Sequence, residues 1–548
     1  MHMFYRGYPV LTAQARPEAV AAPKAPAALA DRVGSDAMRA MSREMRAMHL
    51  SERLNDPAGY LRLQRSRRES LEALLVVDPE KTVVSRVIDL VCMICEESAW
   101  GENNALAPFE DEGHPSIDFQ CAETAMLLGW TRRALGSQLD AVSPRICSRM
   151  LAEARRRVFA PFLAHGDYPF MRGRGVRPIA ILCDIVLNAI LLETDPQRRS
   201  AVIKLGLRLI DQCIAGMDGR RFQLPLCTPL ADFSAEVAAI TDFTLLVRRI
   251  TRGELDLTPE YPTPEWLDAL LFSWLEGDHF VDPAGDTLKP RLSGAEIFRV
   301  GLAANDGAIA ALGASMDKKH SVPSSTVTGR ILDMNGAQLL AAEVRRPPRL
   351  KYAAGPRNAV MCSRFSNITF AIHTGGGRAN AGDIILLGDK QPVILGLPRY
   401  PSLPVIGGRT QLDLPDSPCE VDFRIKADRE LMSVDLSHAY PAAVPLQSYQ
   451  RTAMVMREEG MMRIVDAIEL DAPAQVVFRF YTPEQPRHRE GILHLGPVDF
   501  AWEGDLDYRV EALPATPEFP GGLSLITLTT PEPITQGYYT FNFAGSVL

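Results

Sequence analysis

The spacing of apolar residues changes once along this chain, near Arg345-Arg346-Pro347-Pro348. Before this point, from about residue 35, apolar residues recur at three- and four-residue intervals, the pattern of amphipathic helices. Beyond it, short runs such as ITFAIH, DIILLG and AQVVFRFY are rich in β-branched residues, and turn residues separate them at intervals of roughly ten residues. The sequence therefore predicts a multidomain chain, all-α first and then a large antiparallel β-sandwich.

The helical part is long enough to form a repeating architecture. Ten or so consecutive helical segments with short links predict stacked helical hairpins, closed into an (α/α) toroid or left as an open solenoid. Ser143-Pro144 and Thr263-Pro264 are typical of an N-cap followed by proline at the first helical position. The run Arg155–Arg157 is interpreted as the solvated face of a helix.

A chain of 548 residues is too long for a single hydrophobic core. We predict a Pro/Ala-rich N-terminal arm over residues 1–34, the helical domain over 35–345 and the sandwich over 346–548. The boundaries follow the changes in composition and periodicity described above.

Composition and missing motifs exclude several classes of function. A net charge of −8 gives no general attraction to nucleic acid or to an anionic membrane. No apolar run reaches the ~20 residues that span a bilayer. The first 30 residues lack the apolar core of a secretion signal, so a cytoplasmic location is expected. The chain contains no P-loop, HExxH, GxSxG or dinucleotide-binding glycine pattern, and no cofactor is expected.

The stretch 362–410 is the first candidate for a functional site. Two apolar strands are joined by a loop that contains His373, three consecutive glycines, Arg378, Asn380 and Asp383. Glycines let the backbone approach a ligand or another strand closely. A cationic, polar loop between buried strands is a common position for binding residues.

Three sequence segments, taken in order, resemble the heparinase II/III-like family of polysaccharide lyases. The first is CEESAW at Cys95–Trp100 followed by IDFQCAETAMLLGW at Ile117–Trp130. The second is the strand, loop and strand around His373, ending in GDIILLGDKQPVI. The third is YPSLPVIGG at Tyr400–Gly408, followed by a segment that holds Ala-Tyr-Pro, Arg-Thr and an acidic strand. The resemblance implies a helical toroid joined to a β-sandwich, with a groove between the two domains.

The resemblance also implies β-elimination on uronate-containing polysaccharides. That reaction needs a neutraliser of the uronate carboxylate, commonly Asn or His, and proton-transfer groups of the Tyr/His type. The chain departs from the family at these places. Residues 175–177 hold no Asn or His, residues 218–233 hold no Tyr, and the histidine-rich loop is replaced by Gly376–Asn380. Tyr400–Pro404 lacks a histidine that serves some members as a metal ligand, so no metal is expected there.

The remaining polar and aromatic residues of these segments are the candidate site. His373 is either a relocated acid or base, or a strand-end histidine bonded to backbone. Arg378 and Arg177 are candidates for carboxylate neutralisation, since guanidinium groups match carboxylates. Tyr400 is either catalytic or a packed anchor. The predicted catalytic residues are His373, Tyr400 and Arg378, and the predicted substrate-binding residues are Glu97, Trp100, Asn104, Arg174, Arg177 and Asn380.

Two functions follow from this sequence. The first is a lyase with a diverged active site, acting on an acidic oligosaccharide or polysaccharide. The second is a catalytically inactive relative that binds a glycan or a protein partner in the groove between the domains. Whether the chain is an enzyme stays open at this point. A homo-oligomer is possible, and neither nucleic acid nor a membrane is expected as a partner.

Overall fold

The computed structural model describes most of the chain, in ranges separated by gaps. These ranges are 3–23, 48, 50–76, 84–102, 116–164, 167–219, 228–282, 285, 287–317, 322–336, 350–355, 358–365, 367–374, 380–412, 419–426 and 429–546. The chain divides into two compact units. The helical unit comprises Met1–Arg221, Ser234–Thr263 and Ser293–Arg345, and the β unit comprises Phe222–Phe233, Pro264–Leu292 and Arg346–Leu548.

The predicted order, helices first and antiparallel strands second, is confirmed. The helices are α1 (Met3–Arg6), α2 (Tyr8–Gln14), α3 (Leu50–Asn55), α4 (Pro57–Leu75), α5 (Val84–Glu96), α6 (Phe119–Val142), α7 (Pro144–Ala154), α8 (Ala160–Ala164), α9 (Pro178–Leu192), α10 (Pro196–Gly219), α11 (Leu230–Ile250), α12 (Pro264–Ser273), α13 (Gly294–Ala303), α14 (Gly307–Asp317) and α15 (Val327–Gly336).

Short polar side chains begin several of these helices, as their positions in the sequence predict. Ser143 accepts a hydrogen bond from the N–H of Arg145, and Pro144 is the first residue of α7. Asp118 accepts a bond of 2.9 Å from the N–H of Cys121 at the start of α6. Pro264 likewise begins α12. Such caps satisfy N–H groups that have no partner inside the helix.

Residues 3–23 include two short helices and pack against the helical unit. Residues Met3–Arg6 and Tyr8–Gln14 are helical, and Phe4 is fully buried against Phe243 and Tyr261. The N–H of Phe4 donates to the carboxylate of Asp211 at 3.0 Å. Leu11 and Val20 are buried as well, and Arg133 donates to the carbonyl of Pro17, so several contacts attach this segment.

The described residues of the β unit form three antiparallel sheets and one small hairpin, whose strands are numbered in chain order. They are β1 (Trp274–Glu276), β2 (His279–Phe280), β3 (Leu350–Gly355), β4 (Asn358–Phe365), β5 (Ile368–His373), β6 (Ile384–Gly388), β7 (Gln391–Ile394), β8 (Val405–Ile406), β9 (Val421–Ile425), β10 (Arg429–Asp435), β11 (Leu446–Met456), β12 (Met461–Ala474), β13 (Val476–Thr482), β14 (Arg487–Arg489), β15 (Ile492–Leu495), β16 (Val498–Glu503), β17 (Asp507–Leu513), β18 (Leu523–Thr529) and β19 (Ile534–Gly545).

The described residues of the sheets pack into two apolar clusters, a large one that includes Phe478 and Phe541 and a smaller one that includes Leu275 and Ile385. The large sheet has the order β14-β15-β16-β19-β12-β11-β10-β9, and the others are β17-β18-β13-β8 and β3-β4-β5-β6-β7. Phe478 and Phe480 from β13 meet Phe541 from β19, with ring centroids 5.0 and 5.2 Å apart. Strand β13 alternates buried and half-buried residues along its length, the two-residue period that a sandwich requires.

Candidate functional site

The helical unit contains a cavity of about 450 Å³. Its walls come from the first turn of α6 and from the glycine-rich segment that precedes α9. The residues that line it are Glu102, Ser116, Ile117, Asp118, Phe119, Gln120, Tyr168, Pro169, Phe170, Arg174, Gly175, Val176 and Ile181. A mostly apolar wall with a few polar groups is typical of a site for a small molecule or one sugar residue.

The glycine-rich wall is shaped by left-handed backbone. Gly173 has a φ of 64° and Gly175 a φ of 89°, values at which residues with a Cβ are strained. The N–H of Arg174 donates to the carbonyl of Pro169 at 3.0 Å, which closes the turn. The exposed Arg174 side chain lines the cavity from this turn. Arg174 was a predicted substrate-binding residue, and the structure places it at this wall.

Arg177 lies next to the same cavity. Its guanidinium carbon is 5.0 Å from the ring centroid of Phe119, which lines the cavity. Arg177 itself has a φ of 54° and immediately precedes Pro178, the first residue of α9. The cation–π contact fixes a positive charge beside the aromatic wall. Two arginines of the predicted binding set thus lie at one cavity.

Tyr168 is the aromatic hydroxyl of this cavity, and the sequence analysis missed it. Its ring stacks on Phe170 with centroids 5.7 Å apart. Burial raises the pKa of the Tyr168 phenol, so the hydroxyl stays protonated at neutral pH and can donate a proton or a hydrogen bond. The signal for it in the sequence is an aromatic residue directly before Pro169, in the segment that also supplies Arg174 and Arg177.

The carboxylates at the cavity have partners of their own. Asp118 caps α6, as described above, and Glu102 forms an ion pair with Arg65. Arg174 and Arg177 therefore add positive charge to a site whose acidic groups are already engaged by cations or N–H donors. An anionic sugar with an apolar ring face matches this combination of arginine and aromatic groups.

Glu97 and Trp100 occupy the interior of the helical unit. The carboxylate of Glu97 accepts from Arg67 at 3.1 Å and from Arg68 at 2.7 Å, and its side chain is 1% exposed. The indole N–H of Trp100 donates to the carbonyl of Ile94, and the Arg157 guanidinium lies 4.9 Å from its ring centroid. Both side chains are buried and stabilise the end of α5, so neither presents a surface to a sugar in this conformation. The predicted Asn104 lies outside the described residues.

Arg157 also differs from the sequence interpretation of residues 155–157 as a solvated face. Its side chain is 4% exposed and is paired with Glu153 at 3.0 Å. It donates to the carbonyl of Ser98 at 2.9 Å. The interpretation was wrong for this arginine, because backbone carbonyls at the end of α5 and one carboxylate replace water around the guanidinium.

In the β unit, His373 is the last residue of β5 and is only 1% exposed. Burial lowers the pKa of its imidazole to about 4, so the ring is neutral at physiological pH. Its backbone N–H donates to Asp383, and its carbonyl accepts from Gly382 at 2.8 Å. These contacts fit the strand-end alternative. Arg378 lies outside the described residues, and Asn380 is half-buried, four residues before β6 begins.

Tyr400 packs against other aromatic rings of the β unit. Its ring centroid is 5.5 Å from that of Tyr481 and 6.0 Å from that of Phe519. Its backbone N–H donates to the carbonyl of Leu397 at 2.8 Å. This packing fits the alternative of an anchoring tyrosine. The catalytic assignments of Tyr400 and His373 stay predictions.

A buried ion pair holds the segment after Tyr400 against the loop that follows β5. The guanidinium of Arg451 bonds both carboxylate oxygens of Asp466 at 2.7 Å, and both side chains are 1% exposed or less. Its remaining N–H groups donate to the carbonyls of Ser402 at 2.7 Å and Gly382 at 3.1 Å. All these acceptors lie within one fully desolvated network, so the pair fixes the relative position of two loops.

Asp383 completes this network. Its carboxylate accepts the N–H of Ser402 at 2.8 Å and that of Ile384 at 2.9 Å. Burial raises the pKa of Asp383 to about 7, and the two N–H donors and Arg451 act in the opposite direction. Gly382 and Asp383 are thus held by buried polar contacts with Ile384 of β6, Arg451 of β11 and Ser402.

The described residues contain no group of three or more His, Cys, Asp or Glu side chains placed to bind a metal ion. None of the helices in these ranges combines the length and the apolar character needed to cross a bilayer.

Comparison with known proteins shows the fold. No family model matches the sequence, and no curated protein sequence matches it. Among solved structures, heparinase III is similar over 88% of this chain and 76% of its own length, with 10% identity and a TM-score of 0.55. The Streptomyces coelicolor A3 chondroitin AC lyase, in complex with chondroitin sulphate, is similar over 100% of this chain and 82% of its own, with 11% identity and a TM-score of 0.55. A Paenibacillus xanthan lyase is similar over 95% of this chain and 57% of its own, with 11% identity and a TM-score of 0.54.

These likenesses define the class of fold. The chain has the fold of heparinase-like polysaccharide lyases, a helical toroid followed by an antiparallel β-sandwich. Within this class it is similar to heparinase III, as the sequence motifs predict. At about one identical residue in ten, the likeness establishes the architecture and transfers no catalytic residue.

Proposed function

We propose that this chain is a polysaccharide lyase that cleaves uronate-containing glycans by β-elimination, with a diverged active site. The observation that carries the proposal is the fold, because three solved structures that share it are named as lyases of different polysaccharides. The cavity of the helical unit supports it, since arginine and aromatic groups line one small pocket. An acidic oligosaccharide or polysaccharide is the proposed partner.

The chemistry assigns separate roles to these groups. Arg174 and Arg177 bind and neutralise the uronate carboxylate, which makes the proton on C5 more acidic. A base removes this proton, the electron pair forms the C4–C5 double bond, and the C4–O bond breaks. The protonated Tyr168 hydroxyl donates its proton to the departing oxygen. His373, Tyr400 and Arg378 are the predicted catalytic groups of the β unit, with His373 proposed as acid or base.

The test is the ultraviolet absorbance of unsaturated uronate while the purified protein is incubated with a panel of uronate polysaccharides. Arg174→Gln removes a carboxylate ligand, so we expect KM to rise by about tenfold or more. Tyr168→Phe removes the donor, so we expect kcat to fall by about 10²-fold or more. Arg172→Gln is the matched control, because this exposed arginine of the same segment pairs with Asp167 and is not among the cavity residues.

Variants of the β unit test the other assignments in the same assay. If His373 transfers a proton, His373→Ala abolishes turnover while the protein still binds its glycan. Tyr400→Phe keeps the aromatic packing and removes only the hydroxyl, so a fall in kcat would favour a catalytic Tyr400 over an anchor. Full activity in both variants, with loss of activity in Tyr168→Phe, would contradict the β-unit assignments and keep the cavity assignment.

A second candidate is a non-catalytic protein that binds glycans through the same cavity. It is favoured by one observation: the imidazole of His373 is buried and has a pKa of about 4, which makes it a weak base. Saturable binding by calorimetry without any absorbance change across the panel is the result expected for this candidate. Sensitivity of that binding to Arg174→Gln would place the glycan at the cavity.

A further inference from the structure

Strand β17 forms an open edge of the β unit. It is the terminal strand of the sheet β17-β18-β13-β8 and pairs only with β18 in that sheet. Six consecutive residues, 507–512, are exposed, and Leu513 is half-buried. An edge strand with exposed side chains on both faces leaves a row of backbone N–H and C=O groups free to pair with another strand.

One face of β17 is apolar. Tyr508 and Val510 are paired with Leu528 and Ile526 of β18, which are fully buried in the sandwich core. Cross-strand partners point to the same side of a sheet, so the apolar interior face continues onto β17. There it is only partly covered: the Tyr508 ring contacts the rings of His488 and Trp502, with centroids 4.9 and 5.6 Å apart. Tyr508 is still 44% exposed and Val510 39% exposed.

The other face of β17 carries alternating charges. Asp507, Arg509 and Glu511 follow the same two-residue period on the opposite side of the strand from Tyr508 and Val510. Within the part of the chain that the structure describes, no ion pair is formed by Arg509 or by Glu511. Charges on an edge strand normally prevent pairing, but they permit it in a register that places opposite charges together.

We propose that β17 pairs with β17 of a second copy of this chain, antiparallel and centred on Val510, to form a symmetric dimer with a continuous sheet. In this register the whole strand is paired, and Val510 lies opposite the second copy's Val510. Arg509 lies opposite the second copy's Glu511, and two-fold symmetry repeats this pair. Tyr508 lies opposite Ala512 of the second copy, so pairing buries part of the apolar surface that Tyr508 and Val510 still expose.

Neighbouring registers are disfavoured by like charges. Moving the centre to Arg509 places the two Arg509 side chains opposite each other and Asp507 opposite Glu511. Moving it to Glu511 places the two Glu511 side chains opposite each other. Like charges directly opposite destabilise a strand pair, so charge selects the register that also pairs the full strand.

Sedimentation equilibrium of the full chain tests this dimer with matched charge swaps. We expect a concentration-dependent dimer whose dissociation constant rises by about tenfold in Arg509→Glu and in Glu511→Arg, since each variant places like charges opposite each other twice. The double variant Arg509→Glu with Glu511→Arg restores opposite charges and is expected to dimerise like the original chain.

Mixing the two single variants gives a second, independent readout. One copy then carries two acidic residues at positions 509 and 511 and the other carries two arginines, so a heterodimer forms that is stronger than either homodimer. A chain that is monomeric at all concentrations would overturn the proposal. A dimer that is indifferent to all three variants would also overturn it, because its interface would lie elsewhere.

Discussion

Arg451 shows how one buried charge positions two loops. Its guanidinium donates hydrogen bonds to Asp466 and to two backbone carbonyls, and both side chains of the ion pair are buried. Arg451→Met leaves the Asp466 carboxylate buried without its cation, so we expect a loss of about 3–5 kcal/mol in the free energy of unfolding, measured by urea denaturation.

The matched control for Arg451 is the double variant Arg451→Met with Asp466→Leu. Replacing both partners leaves no uncompensated charge, so the double variant should be more stable than Arg451→Met alone. If Arg451→Met lowered the free energy of unfolding by less than about 1 kcal/mol, the stabilising role of this ion pair would be contradicted. Removing one partner of a buried ion pair leaves an uncompensated buried charge, which is strongly destabilising.

Glu296 makes stability depend on pH. Burial raises the pKa of its carboxyl from 4.5 to about 7, against the opposing effect of the Ser325 N–H that it accepts. The folded state therefore keeps a proton that the unfolded state releases, and stability present below pH 4.5 is lost as the pH rises to about 7. Between these pH values, the free energy of unfolding of the original chain should fall by an amount on the order of 3 kcal/mol because of Glu296. We expect this fall to be absent in Glu296→Gln.

The measurement for Glu296 is urea denaturation at a series of pH values between 4 and 8. Gln keeps an oxygen that can accept the Ser325 N–H, so the variant isolates the ionisation. Glu265→Gln, at an exposed position in the first turn of α12, is the control and should leave the pH profile unchanged. A Glu296→Gln profile parallel to that of the original chain would contradict the assignment.

For individual residues, an exposed position in a glycine-rich segment is easier to predict from the sequence than burial. Arg174 and Arg177 lie in a glycine-rich segment that reads as an exposed loop, and the structure places both at the cavity. The sequence analysis assigned Glu97 to substrate binding and Arg157 to a solvated helix face. Both side chains are buried and bonded to partners distant in sequence. Their burial depends on pairings between helices that no local pattern specifies.

Helices α13 and α14 show how glycine sets a packing distance between elements. A Cβ at Gly301 would lie 2.2 Å from the backbone nitrogen of Ala310, so no side chain fits unless the helices separate. We expect Gly301→Ala to destabilise the chain by about 3 kcal/mol, seen as a lower thermal midpoint. This loss of stability would result from poorer packing along the whole contact between α13 and α14.

Gly307→Ala at the start of α14 is the matched control. A Cβ there has no other atom within 4 Å, so alanine fits and reduces the entropy of the unfolded chain. Its thermal midpoint should equal or slightly exceed that of the original. Equal destabilisation in both variants would contradict the role of the close approach at Gly301, because alanine has the higher helix propensity and nothing obstructs its Cβ at position 307.

Elements with strong periodicity can be predicted from the sequence, whereas short or aromatic elements cannot. The cap at Ser143 and the alternation along β13 are visible in the residues themselves, because each depends on local geometry. The hairpin β1-β2 lies in a segment predicted to be helical. Its pairing depends on contacts with the β unit, where Thr369 of β5 donates to Glu276 of β1.

For the whole molecule, the order of the helical and β parts was predictable because one change in periodicity divides the chain. The class of fold followed from three weak motifs in order and is confirmed by the solved lyases. The cavity was not predictable as a site, since its walls join residues 116–120 to residues 168–176 across more than one helix. Function depends on which groups meet there, and this is a property of the folded chain.

The most direct test of the proposed lyase activity is the mass of the fragments released from a uronate polysaccharide. β-Elimination predicts fragments with an unsaturated uronate at the new non-reducing end, each lighter by one water than the corresponding hydrolysis product. The yield of these fragments should be lower in Arg174→Gln. Fragments that have gained water would contradict the account by showing hydrolysis. Intact polymer with saturable binding would contradict catalysis and leave a glycan-binding protein on a lyase fold.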